Sequence, residues 1–236
     1  MMIIIFILGS IIGSFLNVYI TRWPKGYKPY TSRSYCFHCH HRLNIFDLAP
    51  VISYICLKGR CRYCHHKISE RDWLIEVIGG VFACYCYQYV NTTFEMLFVF
   101  SISMLCIMIA FIDADHFYID HKLLLFNVLL ALCWLIIYHP CCYLYHIYCA
   151  ILIAVPFYLI AKCRPQALGE GDSQCYFLAG LLVGFPTILI VFILANFLCL
   201  GYVLIFHLKD CKQEKRPIAY GPWIMYATLF AFLSSF

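Results

Sequence analysis

Charged side chains are scarce in this sequence. Only 12% of its 236 residues are Asp, Glu, Lys or Arg, whereas 64% are hydrophobic and the mean hydropathy is +0.81. A typical soluble domain carries about 25% charged residues. The composition therefore excludes a soluble globular protein and indicates an integral membrane protein, for which membrane lipid is the expected partner and nucleic acid is not.

Several runs of about 20 residues contain almost no charge, as membrane-spanning helices require. These runs also lack the strict apolar and polar alternation of a membrane β-barrel. We therefore predict an all-α polytopic membrane protein with about eight transmembrane helices, of which the sixth is too short to cross the membrane comfortably alone. The predicted spans are residues 1–20, 73–90, 94–112, 123–138, 143–161, 174–184, 185–206 and 218–236.

Lys and Arg are absent from every second loop between these spans. Ten of the 17 basic residues fall in 21–72, and the other seven fall in the remaining loops of the same face. Because basic loops stay in the cytoplasm, the pattern predicts that both termini lie outside and that every basic residue lies inside. We expect three parts: a first transmembrane helix at 1–20, a cytoplasmic loop at 21–72 and a helical bundle at 73–236.

Acidic residues form two clusters on this same face. One follows the third predicted span in "FIDADHFYIDHK", and the other follows the fifth span in "ALGEGDSQ". Acids near the end of a span can simply be solvated, but two clusters at one membrane depth favour a shared functional site. The residues concerned are Asp113, Asp115, Asp120, Glu170 and Asp172.

Two glycines flank the acids of the second cluster. Gly169 and Gly171 permit a tight loop in which backbone can approach a ligand closely. Asp172 is then expected in the first turn of the short sixth helix, where the helix dipole favours its ionised form.

The loop at 21–72 contains two C-x2-C pairs, "CFHC" and "CRYC", separated by 21 residues. This spacing is typical of a structural zinc site with a ribbon-like loop. Redox or disulfide couples are the alternative, which a cytoplasmic location disfavours. The predicted zinc ligands are Cys36, Cys39, Cys61 and Cys64, with His38, His40, His65 and His66 as less favoured substitutes.

Glu76 is an acid about one turn inside the second predicted span. A carboxylate at such a position is a candidate for a functional role. It could equally reach back to the interface or pair with Arg71, so both residues are treated as candidate accessory residues.

The motifs of the chain, taken in order, resemble those of the bacterial type IV prepilin peptidases. These enzymes are bifunctional leader peptidase/N-methyltransferases of the membrane GxGD aspartic protease family. The motifs that carry the resemblance are "GSFLNVYITRWP", the two C-x2-C pairs with "GRCRYC", "ISERDWLIEVIGG", "FIDADHFYI", "GEGD" and "YGPW".

The resemblance implies that Asp113 and Asp172 are the catalytic pair. Asp115 could compete with Asp113, but residues two apart on a helix point about 200° apart, and the resemblance selects Asp113. The implied substrates are type IV prepilins or type II secretion pseudopilins, cut after a basic leader at the cytoplasmic face. Methylation of the new N-terminus by S-adenosylmethionine is implied by the resemblance alone.

The chain departs from the family pattern at two places near the acids. It reads Ile119-Asp120-His121 where the family usually has Ile-Pro-Asp, and it has Gln174 where the family has Lys. We expect these changes to affect the efficiency of the enzyme more than its identity.

Two other classes of function are compatible with parts of the pattern. A non-catalytic membrane assembly factor with a zinc-clamped docking loop would need the cysteines but not the acids. An ion or proton transporter would place its acids along a path through the membrane, whereas these lie at one face. Nothing in the sequence indicates an oligomeric state.

Overall fold

Nearly all described residues of this chain are helical. The computed structural model describes residues 1–26, 34–36, 38–164, 169–207 and 218–236. Within these ranges there is no β-strand, only two isolated bridges in the cysteine-rich loop. The predicted all-α fold is therefore confirmed. The basic loop expected at 207–217 lies, apart from His207, outside the described residues.

Eight helices of at least 13 residues in the described ranges correspond to the eight predicted spans, and a helix of 5 residues, α2, precedes the second of them. Their bounds are α1 Met2–Arg22, α2 Ile52–Cys56, α3 Glu70–Tyr89, α4 Thr93–His116, α5 His121–Tyr138, α6 Tyr143–Cys163, α7 Glu170–Val183, α8 Thr187–Tyr202 and α9 Gly221–Leu233. Side-chain caps fix three of the starts, and Thr92 provides the one for α4 by accepting the Glu95 N–H at 3.3 Å. Ser69 accepts the Arg71 N–H at the start of α3, and Asp120 accepts the Lys122 N–H at the start of α5.

Five helices are long and apolar enough to cross a membrane, namely α1, α4, α5, α6 and α8 with the π-helical turn Val203–His207 that continues it. This supports a multi-pass membrane protein. The helix α4 extends beyond the predicted span 94–112 and ends at His116. Asp113 and Asp115 consequently lie within the helix and not after it.

The first compact unit comprises residues 1–96. In it α1 and α3 run antiparallel with close backbones, because glycines face each other across the interface. A Cβ added at Gly79 would lie 2.6 Å from the carbonyl O of Gly9. Further along the same interface, Asn17 donates to Asp72 at 2.9 Å. Small residues such as Gly9 and Gly79 let membrane helices pack tightly.

The second compact unit comprises residues 97–236. Its short helix α7 packs against α5, α6, α8 and α9, and most of its residues are buried. With 14 residues, α7 is roughly 21 Å long, less than the roughly 30 Å of a hydrocarbon core. A helix this short is tolerated because neighbouring helices, and not lipid, surround it. The N-terminus of α7 therefore has a fixed position inside the unit.

Candidate active site

Asp113 and Asp172 lie on one cavity of the second unit. Asp113 is near the end of α4, and Asp172 is in the first turn of α7, as the sequence predicts. Both are buried, with 6% and 9% of their surface exposed. The cavity has a volume of about 360 Å³ and is lined by Asp113, Phe117, Tyr118, Ile119, His121, Gly169, Glu170, Gly171, Asp172, Ile218, Ala219 and Tyr220.

Each of the two carboxylates accepts a backbone N–H at the start of a helix. Gly169 N–H, at the N-cap of α7, donates to Asp172 Oδ2 at 3.2 Å. The N–H of Gly221, the first residue of α9, donates to the carboxylate of Asp113. The charge of Asp113 also acts on Asp172. Two buried carboxylates that interact cannot both ionise cheaply, so the cavity favours one ionised and one protonated group.

Glycines make room for the groups around the two acids. A Cβ added at Gly221 would lie 2.6 Å from Asp113 Oδ2, and one added at Gly171 would lie 2.7 Å from Ile119 Cδ1. The close approach expected at Gly171 is thus made by Ile119, while Gly169 contributes its N–H to Asp172. Sequence analysis assigned no role to Gly221, although the motif "YGPW" contains it.

A pair of tyrosines links the start of α9 to α7. The hydroxyl groups of Tyr176 and Tyr220 lie 2.7 Å apart, and the Tyr176 ring stacks on Phe157 with centroids at 4.4 Å. Tyr220 directly precedes Gly221 and itself lines the cavity. The backbone group that binds Asp113 is therefore held in place by the helix that carries Asp172.

The other acids of the two clusters have different surroundings. Asp115 is exposed, and Asp120 is buried as the N-cap of α5, accepting from the Lys122 N–H at 2.9 Å. Glu170 is exposed at the rim of the cavity. The cap explains how α5 begins here without the proline that the family usually has, since Asp is a favoured N-cap residue.

The two departures from the family pattern are in contact with each other. His121 Nδ1 donates to Oε1 of Gln174 at 2.8 Å, which joins the first turn of α5 to the first turn of α7. His121 also lines the cavity. A single hydrogen bond thus joins the segments that follow the two aspartates. At these two positions the family pattern has an acid and a lysine.

For the leader cleavage that the resemblance implies, we expect His121→Ala and Gln174→Ala each to lower the rate about fivefold, the effect of one hydrogen bond of about 1 kcal/mol. The double variant is expected to be no slower than either single variant, because the two side chains act through one contact. Cleavage rates of the four proteins measure this coupling. His116→Ala, an exposed histidine at the end of α4, is the control. Independent, additive losses would show that the contact does not position the site.

Four cysteines of the first unit form a metal-binding cluster. The Sγ atoms of Cys36, Cys39, Cys61 and Cys64 all lie within 4.8 Å of one another. The Sγ atoms of Cys36 and Cys64 are 3.8 Å apart, the separation that a tetrahedral zinc site with Zn–S bonds of about 2.3 Å requires. The donor set and its spacing therefore fit a structural zinc ion.

The two C-x2-C pairs adopt the same local structure. In each, a bridge closes the turn, Tyr35 with Arg42 and Arg60 with Lys67. Burial raises the pKa of the Cys36 thiol, but hydrogen bonds from the Cys39 and His38 backbone and from neighbouring thiols lower it to about 7. For Cys64 a hydrogen bond from the His66 backbone lowers the pKa, but burial and the hydrogen bonds with the same thiols raise it to about 12. A thiolate near neutral pH is the form that binds zinc.

The histidines held as substitute ligands are not part of the cluster that the described residues form. The rings of His38 and His66 stack on each other with centroids 4.2 Å apart. His40 and His65 adopt positive φ angles of 56° at equivalent places in the two turns. The repeated conformation supports the prediction that the loop is a ribbon-like zinc module.

Purified protein is expected to contain about one zinc ion per chain, and Cys36→Ser or Cys64→Ser is expected to lose it. Without the metal, the cysteine-rich loop should also become more sensitive to limited proteolysis. Metal analysis by mass spectrometry and a protease time course measure the two effects. Cys56→Ser, which removes an exposed cysteine outside the cluster, is the matched control. Zinc-free protein prepared without chelators would contradict the assignment.

Glu76 and Arg71 lie in the first unit, on α3. Glu76 Oε2 accepts the N–H of Val51 at 2.8 Å and also interacts with Ser14 of α1. Arg71 is in the first turn of α3, where its N–H donates to Ser69. Glu76 therefore fixes the loop against the helix pair, a role that sequence analysis did not foresee.

Comparisons with known proteins place both units in one family. Residues 7–90 match the Bacterial Peptidase A24 N-terminal domain, and residues 99–204 match the Type IV leader peptidase family. No solved structure matches the chain.

Curated relatives are similar over different lengths. A prepilin leader peptidase/N-methyltransferase of Myxococcus xanthus is 36% identical over 48% of this chain and 34% of its own length. Proteins of the same name from Aeromonas hydrophila and Burkholderia pseudomallei are 27% and 25% identical, over 98% and 95% of this chain and 89% and 83% of their own lengths. The two domain matches and these nearly full-length relatives agree, and the chain belongs to the type IV leader peptidase family.

Proposed function

We propose that this protein is a prepilin leader peptidase that cuts its substrate with Asp113 and Asp172. The observation that carries the proposal is the pair of buried carboxylates on one cavity, each of which accepts a backbone N–H from the start of a helix. The substrates we propose are type IV prepilins or type II secretion pseudopilins, whose basic leaders precede the scissile bond. The names of the relatives support this class of substrate.

The cavity suits an acid and base pair. Of two interacting carboxyl groups, the ionised one can take a proton from water while the protonated one donates to the scissile carbonyl. The exposed Glu170 at the rim offers a negative charge that would attract a basic leader. The chemistry and the expected charge of the substrate therefore agree.

We also propose that the protein methylates the new N-terminus, as the second part of the relatives' names implies. S-adenosylmethionine would supply the methyl group. The described residues contain no β-strand, and so no βαβ unit that could hold this cofactor in the common nucleotide-binding mode.

We propose that both termini are outside the inner membrane and that the cavity opens to the cytoplasm. The distribution of Lys and Arg in the sequence supports this orientation. Reporter fusions after residues 90, 140 and 236 should report the outer side, and fusions in 21–72 the cytoplasm. A C-terminus found inside would contradict the orientation and remove the cavity from the face where leaders are exposed.

A zinc-clamped membrane assembly factor remains the second candidate, and the cysteine cluster is the observation that favours it. Co-expression with a prepilin, followed by gel analysis of leader removal, separates the two functions. A peptidase loses processing when Asp172 is replaced by Ala and keeps its zinc. An assembly factor shows no leader removal with either protein.

A further inference from the structure

Residues 45–56 of the first unit expose an unusual number of large apolar side chains. This segment contains the 3-10 turn Ile45–Leu48 and the helix α2. The exposed fractions are 75% for Phe46, 42% for Leu48, 57% for Ile52 and 61% for Ile55. A loop that is surrounded by water seldom exposes so many large apolar side chains in so short a segment.

The polar side of the same segment faces the protein. The Asp47 side chain is only 4% exposed, and its Oδ1 lies 2.7 Å from Arg62 Nε in a salt bridge. Its Oδ2 accepts from the Tyr63 hydroxyl at 3.2 Å. Asp47 thus binds the segment to the second C-x2-C turn, so the outward direction of the apolar side chains is fixed.

The segment lies beside the first turns of α3. Val51 N–H donates to Glu76, the seventh residue of that helix and roughly 10 Å along it. Helical side chains lean towards the N-terminus, so the contact lies level with the first two turns. The rings of Tyr54 and Trp73 stack there with centroids 5.7 Å apart.

This part of α3 lies against residues 13–17 of α1, in the last three turns of that helix. The helix α3 packs along α1, which is long and apolar enough to span a bilayer, and the two helices meet the loop at the same end. Tyr and Trp are enriched at membrane interfaces. The conformation of Val51 is enforced, because a β-branched residue with φ of 62° is strained and Glu76 holds its N–H.

We propose that residues 45–56 form an interfacial membrane anchor, in which Phe46, Ile52 and Ile55 contact phospholipid acyl chains. Lipid is the occupant that fits, because the patch is level with the last turns of the apolar helix α1 and beside a stacked Tyr–Trp pair. The exposed Lys58 and Arg60 that follow suit the phosphate groups of anionic lipids. The proposal is independent of the peptidase activity.

The test uses the full chain in nanodiscs of phosphatidylethanolamine and phosphatidylglycerol, together with a prepilin that keeps its leader. The photoreactive residue p-benzoylphenylalanine replaces Phe46 or Ile55, and mass spectrometry identifies what it captures. Leu152, 53% exposed in the middle of α6, is the positive control for lipid capture. Arg42, exposed in the first C-x2-C turn, is the negative control. Zinc content reports that each variant is folded.

Phospholipid adducts at Phe46 and Ile55, as at Leu152, with none at Arg42, are the expected result. Adducts to prepilin in place of lipid at these two positions would overturn the proposal, since the patch would then be a substrate-docking surface. Absence of lipid adducts at both positions, while Leu152 yields them, would overturn it as well. Equal lipid capture at Arg42 would show that the patch is not distinguished from the rest of the loop.

Discussion

Replacing Asp113 or Asp172 with Asn is expected to abolish removal of the leader from a co-expressed prepilin. Asn has nearly the same shape as Asp but can neither take a proton from water nor carry a negative charge. General acid and base groups contribute factors of about 10² to 10⁴ to rates, so a loss of at least about 100-fold is expected from either change. Gel separation of processed and unprocessed prepilin measures it.

The proposed mechanism gives one role to each carboxyl group. The ionised member removes a proton from water as the water oxygen bonds to the scissile carbonyl carbon, while the protonated member donates its proton to the carbonyl oxygen. The C–N bond then breaks as the leaving amine takes the proton that came from water, and a hydroxyl of the intermediate returns a proton to the second carboxylate. Sequence analysis gave the ionised role to Asp172 because it lies at a helix N-terminus.

The structure gives Asp113 a similar advantage, because the Gly221 N–H at the start of α9 donates to it. The helix dipole therefore acts on both carboxylates and does not by itself select the ionised one. The two carboxyl groups titrate as a pair, so the pKa values obtained from the pH dependence of cleavage should belong to the pair and not to either residue.

Asp115→Asn and Asp120→Asn are the controls for the two catalytic variants. Asp115 is exposed, and Asn at position 120 keeps the cap of α5, since Asn is as good an N-cap residue as Asp. Both are expected to retain processing, with membrane insertion of all four variants checked by fractionation. Processing by Asp172→Asn at near the parent rate would refute the mechanism.

Gly221→Ala is expected to lower the cleavage rate by about 100-fold, the effect of misplacing a catalytic group by about 1 Å. The added Cβ would lie 2.6 Å from Asp113 Oδ2, so either the carboxylate or the start of α9 must move. The N–H that binds Asp113 comes from the same residue, and the hydrogen bond would be strained together with the carboxylate. Initial rates of leader removal measure the loss.

Gly201→Ala is the matched control, because a Cβ added at this position of α8 meets nothing within 4 Å. Ala is a better helix former than Gly, so helix propensity alone would not destabilise either variant. Normal processing by Gly221→Ala would mean that Asp113 does not act from the position seen in the structure.

Local sequence patterns were sufficient to predict the helices and the cysteine cluster. Charge-free runs of helical length fix the spans, and the position of Asp172 in the first turn of α7 follows from the glycines before it. The end of α4 was placed too early, because Asp113 and Asp115 interrupt the apolar run without ending the hydrogen-bonded helix: Phe117 N–H still donates to Asp113 O at 2.9 Å.

The contacts between distant segments could not be predicted in this way. His121 and Gln174 are 53 positions apart, and each was recognised only as a separate departure from the family pattern. The burial of Asp113 beneath Gly221 likewise depends on how α4 and α9 pack, which no periodicity in either helix specifies. Glu76 was identified by the cost of a carboxylate inside a span, but its partner, Val51, lies in a loop without a regular pattern.

Because Gly221 lies in the last described helix, it is synthesised after both aspartates. Synthesis proceeds from the N-terminus, so α4 and α7 emerge before the backbone group that binds Asp113. The short helix α7 is also covered by helices that precede it in the sequence, α5 and α6, and by helices that follow it, α8 and α9. A partly synthesised chain should therefore be inert as a protease, and a prepilin inserted into the membrane at the same moment would be cut only by chains already completed.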